Sequence, residues 1–452
     1  MAGKIAKALV VALGVAIVLG GPVRAGSLSD SLVSAYRNSG LLEQNRALLR
    51  AADEDFAQTM ALLRPVLSYS LGSSYNTVSE SVASSLELTA GMTLYDFGAA
   101  DLRQQVAKES VLMMRDGLRG IEQNILLRAA RAFMSVRRDL SIVSLRENNV
   151  RLIEQELRAA QDRFEVGEIT RTDVAIAEAR LASSQAALAA ANGSLAASRE
   201  EFRAATGAYP GMLATPPKPP ATASSLAGAR TVAFQNHPDM AQAQRSVTIR
   251  ELGVDLSEAA LKPSLMGSAR VGVDQDGNQA ASVGLTFSGP IYQGGALASA
   301  QRKAMAQRDA ARAALHLSRM AVDQNVSVAW AQLAVAEAAL KATEQQIQAS
   351  RVALQGVREE ARLGARTTLD VLNAEQEQLD AEASRISAET DRDVAVYSLL
   401  SSMGLLTVKH LGLGISTYDP EAYYNAVRNA PVTNVSPEGE KLDRVLESIV
   451  FK

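Results

Sequence analysis

The chain contains no cysteine, so no disulfide can brace it, and its three histidines, His237, His316 and His410, lie far apart. Together these absences leave little from which to build a zinc site. An excess of charge is missing too. Its 46 Lys and Arg against 49 Asp and Glu give a formal −3 over 452 residues, too little to draw nucleic acid or an anionic membrane surface. Aromatic residues make up 4% of the chain, low for a compact enzyme core. H-E-x-x-H, the phosphate-binding G-x-x-x-x-G-K-[ST] and the nucleophile elbow are all absent. Neither catalysis, a cofactor nor a metal is expected. Past the N-terminal run no stretch reaches ~18 apolar residues, so helices do not carry this chain across a bilayer. What is present is 47% hydrophobic residues, largely Ala, Leu and Val, with Gln, Glu and Arg between them. That is the composition of long helices packed closely together.

Residues 1–25 read as a secretory signal peptide. Lys4 and Lys7 precede an apolar run from Ala8 to Gly20, and Val23-Arg24-Ala25 offers small residues at a cleavage site before Gly26. The run falls short of the ~20 residues a membrane anchor needs. No cysteine follows the site, which excludes a lipidated N-terminus.

The remainder is one unit written twice. Leu94-Tyr95-Asp96-Phe97-Gly98-Ala99 returns 197 positions later as Ile291-Tyr292-Gln293-Gly294-Gly295-Ala296. Val166-Gly167 with Thr170, Asp173 and Val174 returns at the same offset as Leu363-Gly364 with Thr367, Asp370 and Val371. Asn38 and Pro65 are matched by Asn236 and Pro263. A single duplication of this length implies two similar halves, expected at 26–207 and 227–405. A Pro-rich linker (208–226, with Pro216, Pro217, Pro219 and Pro220) joins them, and a polar tail (406–452) with two short helices is expected to follow. Each half opens with a moderate helix, about Leu41 to Leu63 or Met240 to Leu261, ended by Pro65 or Pro263. Long helices are expected at 98–163 and 295–360, each roughly 100 Å long. Returning helices are expected at 171–207 and 368–405.

Between the first and second helices of each half lie two alternating segments, at 66–76 and 85–94, then at 264–274 and 280–289. Leu67, Tyr69, Leu71 and Tyr75 oppose Ser68, Ser70, Gly72 and Ser74; Leu86, Leu88 and Met92 oppose Glu87, Thr89 and Thr93. Val271 and Val273 oppose Arg270 and Gly272; Val283, Leu285 and Phe287 oppose Ser282, Gly284 and Thr286. A period of two marks strands with one apolar and one polar face. Soluble hairpins would need an apolar partner sheet, and no further strands exist to supply one. Their length suits transmembrane strands of ~9–11 residues, apolar toward lipid and polar toward a lumen. Four strands cannot close a barrel, and open edges are not tolerated in lipid. Two copies would give eight strands and a filled interior; three give twelve and a channel.

Both long helices end at a glycine, Gly167 or Gly364, suited to a left-handed cap. Thr170 to Asp173 and Thr367 to Asp370 then form T-x-x-D, a relative of the capping box. Capping is the simplest role for both aspartates. In a closed oligomer, Asp370 would also form a ring of carboxylates that selects cations.

Taken together, the duplication, the strand pairs, the Tyr-x-x-Gly junctions (Tyr95 to Gly98, Tyr292 to Gly295) and the two turn motifs resemble the TolC-like outer-membrane factor family, over about Ser27 to Leu405. The resemblance implies a mainly α protein with a small membrane β part. It implies a homotrimer in the outer membrane of a Gram-negative bacterium, with a shared 12-stranded barrel in lipid and most of its mass in a periplasmic α-helical tunnel. The hairpin tips (Val166, Gly167, Thr170; Leu363, Gly364, Thr367) would dock a periplasmic adaptor, or membrane fusion, protein. That adaptor would belong to an inner-membrane ABC or proton-driven exporter, serving type I protein secretion or multidrug efflux. Nucleic acid is not an expected partner. By the same resemblance Asp370 matches the first acid of a V-D-V-L-D constriction, and Asn373 replaces the second. Arg366 matches a basic latch residue with Asp173 as its expected partner, while Ala361 stands where a latch tyrosine often lies. A rival reading, a periplasmic coiled-coil tether without a pore, explains the helices but leaves four lipid-length strands without a purpose.

Overall fold

The computed structural model describes residues 26–78 and 80–432; the expected signal peptide and the last part of the tail lie outside them. The first half runs α1 (Leu28–Asn38), α2 (Gly40–Ala61), β1 (Val66–Asn76), β2 (Ser81–Tyr95), α3 (Ala99–Glu165) and α4 (Arg171–Thr206). The second repeats the order: α5 (Leu226–Asn236), α6 (Pro238–Ala259), β3 (Ser264–Asp274), β4 (Gln279–Ser288), α7 (Ala296–Arg362) and α8 (Thr368–Ser402). A short α9 (Pro420–Val427) follows.

Two features depart from the sequence reading. The short helices α1 and α5 were not anticipated. Ser39 ends α1 and caps α2, and His237 does the same between α5 and α6, so a break falls where hydrophobic periodicity alone sees little. Strand β2 starts at Ser81, four residues early, because pairing with β1 continues down to Asn76 opposite Ser81 although Ser81-Val82-Ala83-Ser84 carries no alternation. The tail contains one helix among its described residues, and it is docked rather than loose. Tyr423 donates to Glu54 at 2.7 Å, the Tyr424 ring lies 5.1 Å from Phe56, and the backbone N–H of Val408 donates to Glu122 at 2.7 Å.

The long helices α3 and α7 have 67 residues each, roughly 100 Å at 1.5 Å per residue. Helix α3 is central, packing on α1, α2, α4, α6 and α8. The main core gathers at one level of this bundle: Leu126, Ala129, Phe133 and Val136 of α3, Val322 and Val326 of α7, and Leu399 and Leu400 of α8. The short α1 and α5 add Leu32, Ala35, Ala229 and Ala233 to it. Alanines such as Ala129, Ala132, Ala329 and Ala395 lie between the larger side chains of this core and let the helix backbones approach closely.

The duplication recurs as a packing device. Gly207 (φ +87°) ends α4 against Asn38, whose side-chain amide donates to Thr206 O at 2.8 Å. Gly404 (φ +76°), 197 positions on, follows α8 and meets the backbone of Asn236 and His237.

The four strands form one antiparallel sheet, ordered β1-β2-β3-β4. Its register places Leu71, Leu88, Val271 and Leu285 on one face and Ser70, Thr89, Ser268 and Thr286 on the other. Among the described residues neither β1 nor β4 has a second partner, and no layer covers the apolar face. Tyr69 is 79% exposed, Leu71 76% and Val283 87%.

A buried carboxylate marks where the tail meets the bundle. Asp53 of α2 has no accessible surface, and neither of its oxygens has a hydrogen-bond donor among the described residues. Burial pushes its pKa up to about 6, against the pull of Arg115. The folded value lies above the unfolded one, so ionised Asp53 opposes folding above pH 6, and the penalty fades as pH falls toward 4. This displacement corresponds to ~3 kcal/mol per chain at pH 7.5. Asp53→Asn should therefore raise the melting temperature of the detergent-solubilised protein at pH 7.5 and give little gain at pH 4.5. An equal gain at both values, or none, would contradict this assignment.

Candidate functional site

The two hairpin turns at the far ends of α3 and α7 share one geometry. Gly167 and Gly364 adopt φ of +82° and +78°. Behind them Glu168 N–H donates to Arg163 O at 2.9 Å, and Ala365 N–H to Glu360 O at 2.9 Å. These bonds satisfy carbonyls that a helix end leaves open. Thr170 and Thr367 then start the returning helices with nearly the same backbone angles, −89°/160° and −88°/161°.

Both T-x-x-D boxes are complete. The carboxylate of Asp173 accepts from Thr170 N–H at 3.0 Å and from its hydroxyl at 2.7 Å. Asp370 accepts from Thr367 at 3.0 and 2.8 Å. The Thr170 hydroxyl, then its backbone, hold Asp173 below the usual carboxylate range; the Thr367 backbone, then its hydroxyl, do the same for Asp370. Each aspartate stays ionised through mildly acidic pH. At the apex, Val166 is 72% and Leu363 85% exposed. Both are apolar, and they stand at equivalent positions of the two halves.

The expected pair between Arg366 and Asp173 is not formed in the protomer. Arg366 Nε lies 2.8 Å from Glu360 Oε2, a carboxylate of its own hairpin that the tight turn brings back beside it. Asp173 is occupied by Thr170. The side-chain oxygen of Asn373 accepts a hydrogen bond from Arg180 of α4, tying one hairpin to the other. Further along, Arg146 of α3 reaches Asp380 of α8 at 3.4 Å, and Arg358 reaches the buried Glu375 at 2.6 Å. The sequence reading named Asn373 but missed Arg180, Arg146, Asp380, Arg358 and Glu375. The duplication could not reveal them, because the position equivalent to Arg180 is Glu377 and that equivalent to Asn373 is Ile176.

At the other end, Gly98 and Gly295 precede the long helices with φ of +87° and +86°. Asp96 caps α3 by accepting from Ala100 N–H at 2.7 Å. The Tyr95 ring lies 4.7 Å from Phe97, and Tyr292 is exposed. Sheet and helical bundle are thus joined by two sharp corners on one protomer.

An amphipathic sheet open at both edges, set on a bundle of long helices, defines a subunit of an outer-membrane channel-tunnel. The family model described as "Outer membrane efflux protein" matches residues 32–208 and 230–405, and the chain belongs to that family. It is an outer-membrane export channel. Outer membrane efflux protein BepC of Brucella suis is 32% identical, over 96% of this chain and 98% of its own. Alkaline protease secretion protein AprF of Pseudomonas aeruginosa is 26% identical, over 74% and 73%. Among solved structures, CusC superposes with a TM-score of 0.76 at 16% identity, covering 84% of this chain and 92% of that one. The outer-membrane protein VceC of Vibrio cholerae gives 0.72 at 19% identity, covering 83% and 96%. The last two comparisons bear on the fold.

Proposed function

We propose that three copies close one barrel and one tunnel, and that this trimer is the exit duct of an inner-membrane exporter whose periplasmic adaptor docks on the hairpin tips. The observation that carries this is the sheet, with two unpartnered edges and an uncovered apolar face. A periplasmic tether has no use for it. The exposed Val166 and Leu363 support docking at the tips, because the two turns present a large apolar side chain at equivalent positions. The ionised Asp370 supports a carboxylate ring near the entrance, while Asn373, engaged by Arg180, adds no charge to it. Arg366, held by Glu360, supports the shape of the turn. The energy for transport comes from the partner. Relatives named for efflux and for protease secretion support both cargo classes.

The double variant Val166→Asp, Leu363→Asp should abolish export in cells and cross-linking to the adaptor, yet leave a cross-linkable trimer in the membrane. Both positions are solvent-exposed turns, so folding is spared. Full export by this variant would refute docking at the tips.

A further inference from the structure

The barrel sheet contains a feature that the exit-duct reading does not use. Its four strands hold three charged residues: Glu87, Arg270 and Asp274. Asp274 closes β3 and is turned into the hairpin, where it accepts from the N–H groups of Asp276 and Asn278. Glu87 and Arg270 stand mid-strand, both on the polar face. The register gives one row as Ser68, Thr89, Arg270 and Ser282, and a second as Ser70, Glu87, Gly272 and Ala280. Everything around the two charges is small and uncharged.

The two charges face each other across a strand boundary. Arg270 Nε lies 2.6 Å from Glu87 Oε1, and the Thr89 hydroxyl donates to the same oxygen at 2.9 Å. Gly272, directly opposite Glu87, has no side chain to fill the space over which the carboxylate leans. The arginine side chain is the more exposed, 58% against 35%. A pair this open adds little to stability, so its effect falls on whatever passes through the lumen.

Resting on the trimeric exit-duct reading, we propose that three Glu87–Arg270 pairs form a charge-compensated collar inside the barrel. The collar keeps the outer-membrane segment of the duct nearly indifferent to the sign of a solute's charge. Twelve strands ~4.8 Å apart and tilted ~40° enclose a lumen of roughly 12 Å backbone radius. The Debye length is ~10 Å at 0.1 M salt and ~3 Å at 1 M. An unbalanced charge at this height would reach the pore axis in dilute salt and be screened in concentrated salt. Three unopposed arginines would hold acidic solutes, and three unopposed glutamates basic ones. Mutual neutralisation by a fixed pair avoids both.

The test is reversal potential in planar bilayers, with 0.1 M KCl on the dilute side of a gradient. Glu87→Gln should shift the K⁺/Cl⁻ permeability ratio toward chloride by ~2–5-fold, and Arg270→Gln toward potassium by a similar factor. The double variant should return close to the parent. Both shifts should shrink when every solution is 1 M or above. Single variants that match the parent, or that shift in the same direction, would overturn the collar. If a single variant does not assemble, Ser282→Cys, in the same row as Arg270, can be modified in the finished channel. The chain has no other thiol. A cationic reagent there should favour chloride and an anionic one potassium; no change with either would overturn the collar. Should the parent form no trimeric conducting pore, the exit-duct reading fails, and the collar with it.

Discussion

Leu88→Lys should abolish trimer assembly, whereas Ser268→Lys should leave it intact. Leu88 sits mid-strand in β2, between Tyr69 and Val271 on the uncovered apolar face. A lysine facing lipid at mid-membrane costs ~2–4 kcal/mol. A closed trimer holds three copies, so the cost reaches ~6–12 kcal/mol per assembly, or between four and nine orders of magnitude in its equilibrium constant. Ser268 lies on the opposite face, across from Gly91 and Gly284, where a lysine finds room and water. The readout is the band of undissociated trimer on a cold detergent gel after refolding. Equal assembly of both variants would reverse the assignment of lipid and lumen faces. Leu71, Val271 and Leu285 should behave as Leu88 does, and Ser70, Thr89 and Thr286 should tolerate polar replacements.

Gly404→Ala is expected to be among the most damaging single-methyl additions in the bundle. The residue is held at φ +76°, and a Cβ there would lie 2.7 Å from backbone atoms of Asn236 and His237. The left-handed conformation costs a side chain ~1–2 kcal/mol. Displacing the α5–α6 corner adds ~1–3 kcal/mol, because backbone cannot rotate aside as a side chain can. Gly207→Ala suffers the same conformational strain, but its new methyl would meet Asn38 Nδ2 at 2.9 Å and Cβ at 3.0 Å, where the amide can rotate aside and only the Cβ must give by a few tenths of an ångström. Thermal melting at equal protein concentration should therefore rank Gly404→Ala well below Gly207→Ala, which in turn lies below the parent. Equal losses would show that backbone strain alone, and not the corner, sets the cost.

How far the sequence speaks depends on the range of the interaction. The strands are legible because a lipid face and a lumen face impose strict alternation, visible at Leu67–Tyr69–Leu71 and again at Val283–Leu285–Phe287. The tips are legible because a helix that stops and restarts must satisfy its own backbone. Gly167 with Thr170 and Asp173, and Gly364 with Thr367 and Asp370, do so within a few residues. Pairing across hairpins was not legible. Whether Arg366 meets Asp173 or Glu360 depends on how the turn folds back and how the helices are rotated about their axes, which no local pattern records. Arg180 and Asn373 meet for the same reason, without an echo in the other half. Short helices α1 and α5 are hard to separate from the sequence because each is only eleven residues long and a single capping residue divides it from its neighbour.

The two free sheet edges, β1 on one side and β4 on the other, differ in sequence and strand direction. A contact that joins one protomer's β4 to the next protomer's β1 is therefore head-to-tail, and nothing in such a contact limits how many copies follow. Ring closure depends on the angle turned at each step, which strand twist and the corners at Gly98 and Gly295 set together. Changes that flatten this angle would leave every bond at the joint intact and still replace a closed pore with an open, growing ribbon.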